Sequence, residues 1–192
     1  TNYSAQPIYA TQAYAYTQQL YLASELNGID SINSIAIYQR GYDYNDRNVT
    51  VYLGYTNKTE FASGTDYVPM SNLTQVYSGR LSGFGWISLK FASTYVRVAD
   101  SNLVVAIDDN TGVAQSGNCY WASSNFGSIY RALRIYGSSD IMPSAPSGSS
   151  ARDYYRAYIV FGNAACETDA CQAPIVMQSA TYADHVDISW NA

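Results

Sequence analysis

Apolar residues recur at every second position along most of the chain, the signature of strands with one buried face. In the segment from Ile32 to Arg40, Ile35 and Ile37 share one face while Tyr38 and Arg40 take the other. Val49, Val51, Leu53 and Tyr55 alternate with Thr50 and Tyr52. Between Trp86 and Phe91, Ile87, Leu89 and Phe91 point inward and Trp86, Ser88 and Lys90 outward. Leu103, Val105 and Ile107 repeat the scheme, as do Ala157, Ile159 and Phe161. Further strands are predicted at Thr17 to Leu22, Gln75 to Arg80, Tyr120 to Ser123 and Ala132 to Tyr136, with a short helical turn near Lys58 to Ala62. Arg40-Gly41 and Ser82-Gly83 supply turn chemistry between them.

Nine or ten strands without an amphipathic helix predict an all-β, two-sheet, jelly-roll-like sandwich. The stretch GSSDIMPSAPSGSSARD after Tyr136 reads as a long surface loop, and YYRAYIVF after it as one more strand. The sandwich is therefore expected over residues 1–163. A small-residue linker with a cysteine pair follows over 164–173, and residues 174–192 hold enough chain for two strands more.

Composition narrows the function classes. Charged residues make up 13% of the 192 and the net charge is −5, which leaves no basic surplus for a nucleic-acid backbone. No run approaches the ~18 apolar residues of a spanning helix. Twenty tyrosines against five phenylalanines, with Ser, Thr, Asn and Gln as the main polar residues, suit a half-exposed sheet of an extracellular protein. The chain starts at Thr1 without a methionine, as a processed, exported product would. In an oxidising compartment the spacing of Cys166 and Cys171 allows a bridge between them. Cys119 paired with either, or three thiols, are the alternatives, and spacing does not decide.

Several segments in order resemble one known module: AYTQQLY with Glu25-Leu26, INSIAIY, RNVTVYLGYTNKTEF, YVPMSNLTQVYSG, GWISLKF, SNLVVAIDDNTG and YRALRIY, together most of residues 14–137. It recurs in secreted and surface proteins of Bacteroidetes-type bacteria and is akin to the cleaved-adhesin domains of protease–haemagglutinin proteins. The resemblance implies a jelly-roll sandwich of adhesin or carbohydrate-binding type, at the cell surface or secreted, and brings no catalytic residue with it. The tail CQAPIVMQSATYADHVDISWNA resembles the opening of a fibronectin type III domain, with Trp190 as the core tryptophan of its second strand. A complete domain of that kind needs ~90–100 residues.

Candidate binding chemistry sits in two places. The loop GYDYNDRN interleaves Tyr42 and Tyr44 with Asp43 and Asp46, offering aromatic faces for sugar rings and carboxylates for hydroxyls. The same residues also suit an Asx-rich turn. In NCYWASSNF, Tyr120 and Trp121 would form an aromatic platform, or Trp121 would close the end of the core. The outward Tyr38, Tyr52 and Tyr158 could line a concave sheet face or serve only as cross-strand partners.

Asp108, Asp109 and Asn110 are a conceivable calcium staple, but an acidic pair falls short of the ~6–8 oxygens the ion takes. A turn bonded to its own backbone is the alternative, and no cofactor is expected. The lone histidine, His185, lies in the tail, and no nucleophile–base pair or paired-carboxylate motif is present, so no enzyme activity is expected. The expected function is a non-catalytic adhesion or glycan-binding module, with a glycan or a surface protein as partner. The alternative is a subunit of an extracellular fibre or surface array that self-associates through residues 174–192, whose Val176, Ile188 and Trp190 would seek a sheet edge.

Overall fold

A computed structural model describes residues 2–41, 45–115, 119–162, 177–181 and 186–190. The chain is almost entirely β, and its two six-stranded antiparallel sheets stack as the expected sandwich. The first sheet contains β1 (Asn2–Ser4), β8 (Cys119–Asn125), β3 (Ser31–Gly41) and β6 (Gly85–Val96), together with β11 (Tyr155–Ala157) and β12 (Ile159–Gly162). The second runs in the order β10 (Ser149–Asp153), β9 (Ala132–Gly137), β2 (Tyr14–Tyr21), β7 (Asn102–Asp109), β4 (Asn45–Thr56), β5 (Leu73–Gly83). The remaining pair, β13 (Met177–Thr181) and β14 (Val186–Trp190), hydrogen-bond to each other as a separate two-stranded sheet. Cys166, Cys171 and His185 lie outside the described residues, as does the linker that holds the two cysteines.

The core forms where the inward faces meet. Ile35, Ile37, Ile87, Leu89, Trp121, Ala157 and Ile159 from the first sheet pack against Val49, Val51, Leu53, Leu81, Leu103, Val105 and Ile107 from the second. Each of the large apolar side chains gains roughly 1.5–3 kcal/mol by leaving water. The chain crosses from one sheet to the other between β5 and β6, where Gly83 (φ +117°) and Gly85 (φ +69°) flank Phe84 in backbone conformations that a side chain would strain.

The structure departs from the sequence-based expectations in four places. YYRAYIVF is two strands: Tyr155–Ala157 pairs with β8 at Ser123–Asn125, and Ile159–Gly162 pairs with β3 at Ser34–Ile37. At the changeover the Tyr158 N–H bonds to the Ala122 carbonyl (2.8 Å), so one segment fills the gap where β3 and β8 diverge. The serine-rich stretch after Tyr136 is not all loop, because Ser149–Asp153 adds β10 alongside β9.

No helical turn forms at Lys58 to Ala62. Asp66 takes the Lys58 ammonium and the Ala62 N–H (2.9 Å), and the Phe61 N–H goes to the Tyr130 carbonyl (2.9 Å), which uses the groups a helix needs. Single 3-10 turns occur instead at Ala23–Glu25 and Met70–Asn72. Finally, Tyr55 faces solvent, since it lies at the end of β4, one residue before its last.

Next to it, Gly54 is a packing requirement. A Cβ there would fall inside van der Waals contact of the Asn72 carbonyl oxygen and the Leu73 side chain. Gly54→Ala is expected to cost about 1–3 kcal/mol, as over-packing does. A urea-denaturation midpoint equal to that of the parent chain would contradict this reading of the β4–β5 junction.

Candidate functional site

Each sheet has an outer face, and the two are treated differently. On the second sheet, Tyr16, Gln18 and Leu20 of β2 point away from the sandwich core and are nevertheless buried. The segment between β4 and β5 lies over them. Phe61 and Val68 pack on Leu20, Val104 and Leu133, while Ile141, from the loop before β10, packs on Tyr16, Ala106 and Ile135. Gln18 is held by Val68 in both directions, its Nε2 donating to the Val68 carbonyl (2.8 Å) and its Oε1 accepting the Val68 N–H (2.8 Å). This covering layer also takes Tyr52, which packs with Tyr14, Tyr67 and Leu73 against the Tyr16 group.

Among the described residues, no such layer lies over the aromatic centre of the first sheet's outer face. Tyr38 of β3 and Trp86 of β6 are directly paired across the strands, their rings 5.4 Å apart and nearly perpendicular. Trp86 is 54% exposed and Tyr158 is 49% exposed, with ring centroids 6.1 Å apart. With Tyr3 and Ala122, these three rings line an open cleft of about 310 Å³. The Arg40 guanidinium lies over the Tyr3 ring, 4.5 Å from its centroid, and Arg40 pairs in register with Tyr120 of β8, itself 45% exposed. Rings exposed at this level and fixed to strands are costly to leave in water, and they match the flat apolar faces of a ligand ring.

A second cleft of about 580 Å³ adjoins the first, with Tyr158 lining both. Its floor includes Tyr21, Phe126, Ile159 and the ion pair between Arg156 and Glu25, in which two N–H···O bonds of 2.8 and 2.9 Å run side by side. Burial pushes the Glu25 carboxyl up, but the Arg156 bonds and the Leu22 N–H more than offset it and hold the group below the usual carboxylate range. Arg156 also lies over the Tyr21 and Phe126 rings, so this wall is a fixed, neutralised surface rather than a free charge.

The structure divides the residues singled out in the sequence. Tyr42, Asp43 and Tyr44 lie outside the described residues. Asp46 is bound to the Arg80 guanidinium on the other sheet. Tyr120 is on the exposed aromatic face, whereas Trp121, the next residue, faces inward. Trp121 is 0% exposed and its indole N–H donates to the Ile8 carbonyl (3.0 Å), which corrects the platform reading for that side chain in favour of the core. Alternation along a strand forces this split between neighbours. Of the three outward tyrosines, Tyr38 and Tyr158 come together and Tyr52 goes to the opposite sheet. Trp86 was legible as outward-facing in the sequence, but nothing there linked it to residues 48 and 72 positions away.

The acidic pair at the end of β7 does not act as a unit. Asp109 is engaged by buried Arg47 (Nε–Oδ2 2.8 Å) and by the Thr111 hydroxyl (2.6 Å). Asp108 points to the other face, where Asn110 donates to it (2.7 Å) and burial raises its carboxyl to about 7. The two carboxylates therefore do not converge on one ion, and among the described residues no three metal-ligating side chains cluster. Cys119 ends β3's pairing partner opposite Gly41, and its sulfur accepts a long bond from the Gln39 amide (3.6 Å). No described helix is long and apolar enough to cross a membrane.

No protein-family model matches the chain, and no curated protein matches it either. A solved structure that resembles it contains the cysteine protease and lectin-like domains of Cwp84, a surface-layer-associated protein of Clostridium difficile, with 14% sequence identity and a TM-score of 0.44. The match covers 79% of this chain and 33% of that one, so the present chain spans about a third of the length of the protein it resembles.

Proposed function

We propose that this chain is a non-catalytic, extracellular or surface-exposed carbohydrate-binding module whose binding surface is the outer face of the first sheet. The observation that carries the reading is the exposed cluster of Trp86, Tyr38 and Tyr158 around one cleft, on a sandwich whose other outer face is buried under its own loops across β2, β9 and part of β7. Sugar rings present a flat C–H face that stacks on such aromatics, while hydroxyls bond to phenol, amide and carboxylate groups at the rim. Tyr120 belongs to the proposed surface. The sugar-binding role of Tyr42, Asp43 and Tyr44, which follow β3 in the sequence, stands as a proposal beside it. Calcium is not required by this reading. The kinship to the cleaved-adhesin type of module, the fibronectin-like character of residues 174–192 and the Cys166–Cys171 bridge stand with it as proposals.

A glycan panel probed with the purified chain tests the reading. Trp86→Ala is expected to weaken binding by about 30-fold or more, the effect of truncating an aromatic anchor worth roughly 2 kcal/mol. The melting temperature should stay nearly unchanged, since the ring is half in water already. A Trp86→Ala variant that binds like the parent would exclude this face. Self-association through residues 174–192 is the competing proposal. It predicts that light scattering finds an oligomer for the full chain and a monomer for one ending at Cys171.

A further inference from the structure

We infer that the second cleft is a further subsite of the same surface, and that its ligand is a neutral, unbranched oligosaccharide long enough to cross Tyr158 and occupy both clefts. The inference rests on the carbohydrate reading above and specifies its substrate class.

The second cleft is built by a split in the first sheet. From Tyr158, β11 runs back along β8 to Asn125, while β12 runs out along β3 to Ser34. Each arm is paired on one side only among the described strands, so no ladder closes the wedge between them. That wedge is the cleft of about 580 Å³, with Arg156 on one arm, Val160 and Phe161 on the other and Tyr21 of β2 at its floor. Along β8, Ala122 lines the first cleft and Ser124, about 7 Å further on, lines the second. The two therefore open side by side around the Tyr158 ring. Each has the volume of a small-molecule site, and a chain laid across both uses the ring as a shared support.

Glu25 supplies the polar contact of the second cleft. Its side chain is 31% exposed, and it is held by the two Arg156 bonds and the Leu22 N–H (2.7 Å). Leu22 and one Arg156 bond fall on Oε2, which leaves Oε1 with one donor. A carboxylate has about four acceptor positions, so a sugar hydroxyl can donate to Oε1 while the pair stays intact. The charges here are matched: Arg156 and Arg131 face Glu25, and Glu60 acts on Arg131. An anion meets no surplus of positive charge, whereas a hydroxyl meets a pre-oriented, charged acceptor.

Calorimetric titration with neutral gluco-, manno- and galacto-oligosaccharides, each from monosaccharide to hexasaccharide, tests the inference. In a series that binds, affinity should rise about tenfold or more between the disaccharide and the longer members. Added salt should leave that rise in place. Val160, 43% exposed, is a position from which Val160→Trp fills the wedge, and this variant should remove the gain with length. Glu25→Gln should reduce the same gain, with melting curves showing that both variants fold. Tyr158→Ala should weaken long and short members alike. Affinity independent of length, or a gain that survives Val160→Trp, would overturn the second subsite and leave the carbohydrate reading intact. Uronate oligomers that bind tighter than neutral ones of equal length would overturn the neutral class. If no neutral series binds, the inference falls, and the wider glycan panel decides separately whether the carbohydrate reading falls with it.

Discussion

Arg47→Ala is expected to lower the stability of the sandwich by about 3–5 kcal/mol, the largest single-residue loss anticipated in this protein. Removing one partner of a buried pair strands the other charge in a dry site. Both partners are almost wholly buried, Arg47 at 1% and Asp109 at 1% exposure. Beyond the ion pair, the Arg47 guanidinium donates to the Val113 carbonyl (2.8 Å) and the Gln12 carbonyl (2.7 Å), and more loosely to Ala10 and Ala13. It therefore ties β4 to the segment before β2 and to the one after β7, and reinforces the direct bonds between those two segments, from the Gly112 N–H to the Ala13 carbonyl (2.9 Å) and from the Gln115 N–H to the Ala10 carbonyl (2.8 Å). Arg47→Met combined with Asp109→Leu should recover part of the loss, because no charge is then stranded. Recovery stays incomplete, since the Gln12 and Val113 carbonyls still lack their donor. Chemical denaturation of the parent, both single variants and the double gives the coupling. A loss below about 1 kcal/mol for Arg47→Ala would mean that water reaches the pair.

The second large effect has the opposite sign. Asp108, 3% exposed, has its carboxyl raised to about 7 by burial, helped by the neighbouring carboxylates of Asp140 and Asp109 and opposed by the Asn110 amide. In the unfolded chain the same group titrates near 3.9. Between those two values the folded state binds more protons than the unfolded one, so stability falls as pH rises through the window. Above about pH 7 the penalty is complete and amounts to ~4 kcal/mol at most, three pH units at ~1.4 kcal/mol each. Asp108→Asn removes the titration and retains an acceptor for Asn110. It should therefore stabilise the protein at pH 8, by up to ~4 kcal/mol, and change little at pH 4. Melting curves at several pH values check it. A parent protein as stable at pH 8 as at pH 5, with Asp108→Asn giving no gain, would show that the carboxylate is solvated after all.

Both effects come from residues whose meaning was invisible along the chain. IDDNTG read as an Asx-rich turn or a calcium staple, and the Asx bonding is there, in the Thr111 and Asn110 contacts. What decides the chemistry is Arg47, sixty-two positions away, which meets Asp109 only because β4 pairs with β7 in one register. A shift of one residue would have sent Asp109 to the other face and left the guanidinium without a counter-charge. The buried glutamines of β2 are a parallel case. In AYTQQLY, Gln18 and Gln19 look like solvated positions, yet Gln18 is clamped by Val68, and Gln19 accepts the Ala157 N–H (3.0 Å) and donates to Gln6 (2.7 Å). Their polar atoms are satisfied by partners from other parts of the chain, so hydrophilicity was no guide to exposure.

The sequence by itself determined the all-β class, most strand positions and the side of each strand that faces the sandwich core, because an alternating apolar pattern has one solution in a pleated chain. It also determined that Tyr38, Trp86 and Tyr158 point away from that core. Only the tertiary structure decided which outward face stays open. Two strands with the same alternation differ in exposure according to whether a distant loop returns to cover them. Phe61, Val68 and Ile141 do so over part of the second sheet, while no described segment covers the aromatic centre of the first. Alternation is a local property of the backbone, but cover is a contact between segments tens of residues apart. That is why the strands could be read from the chain and the candidate site could not.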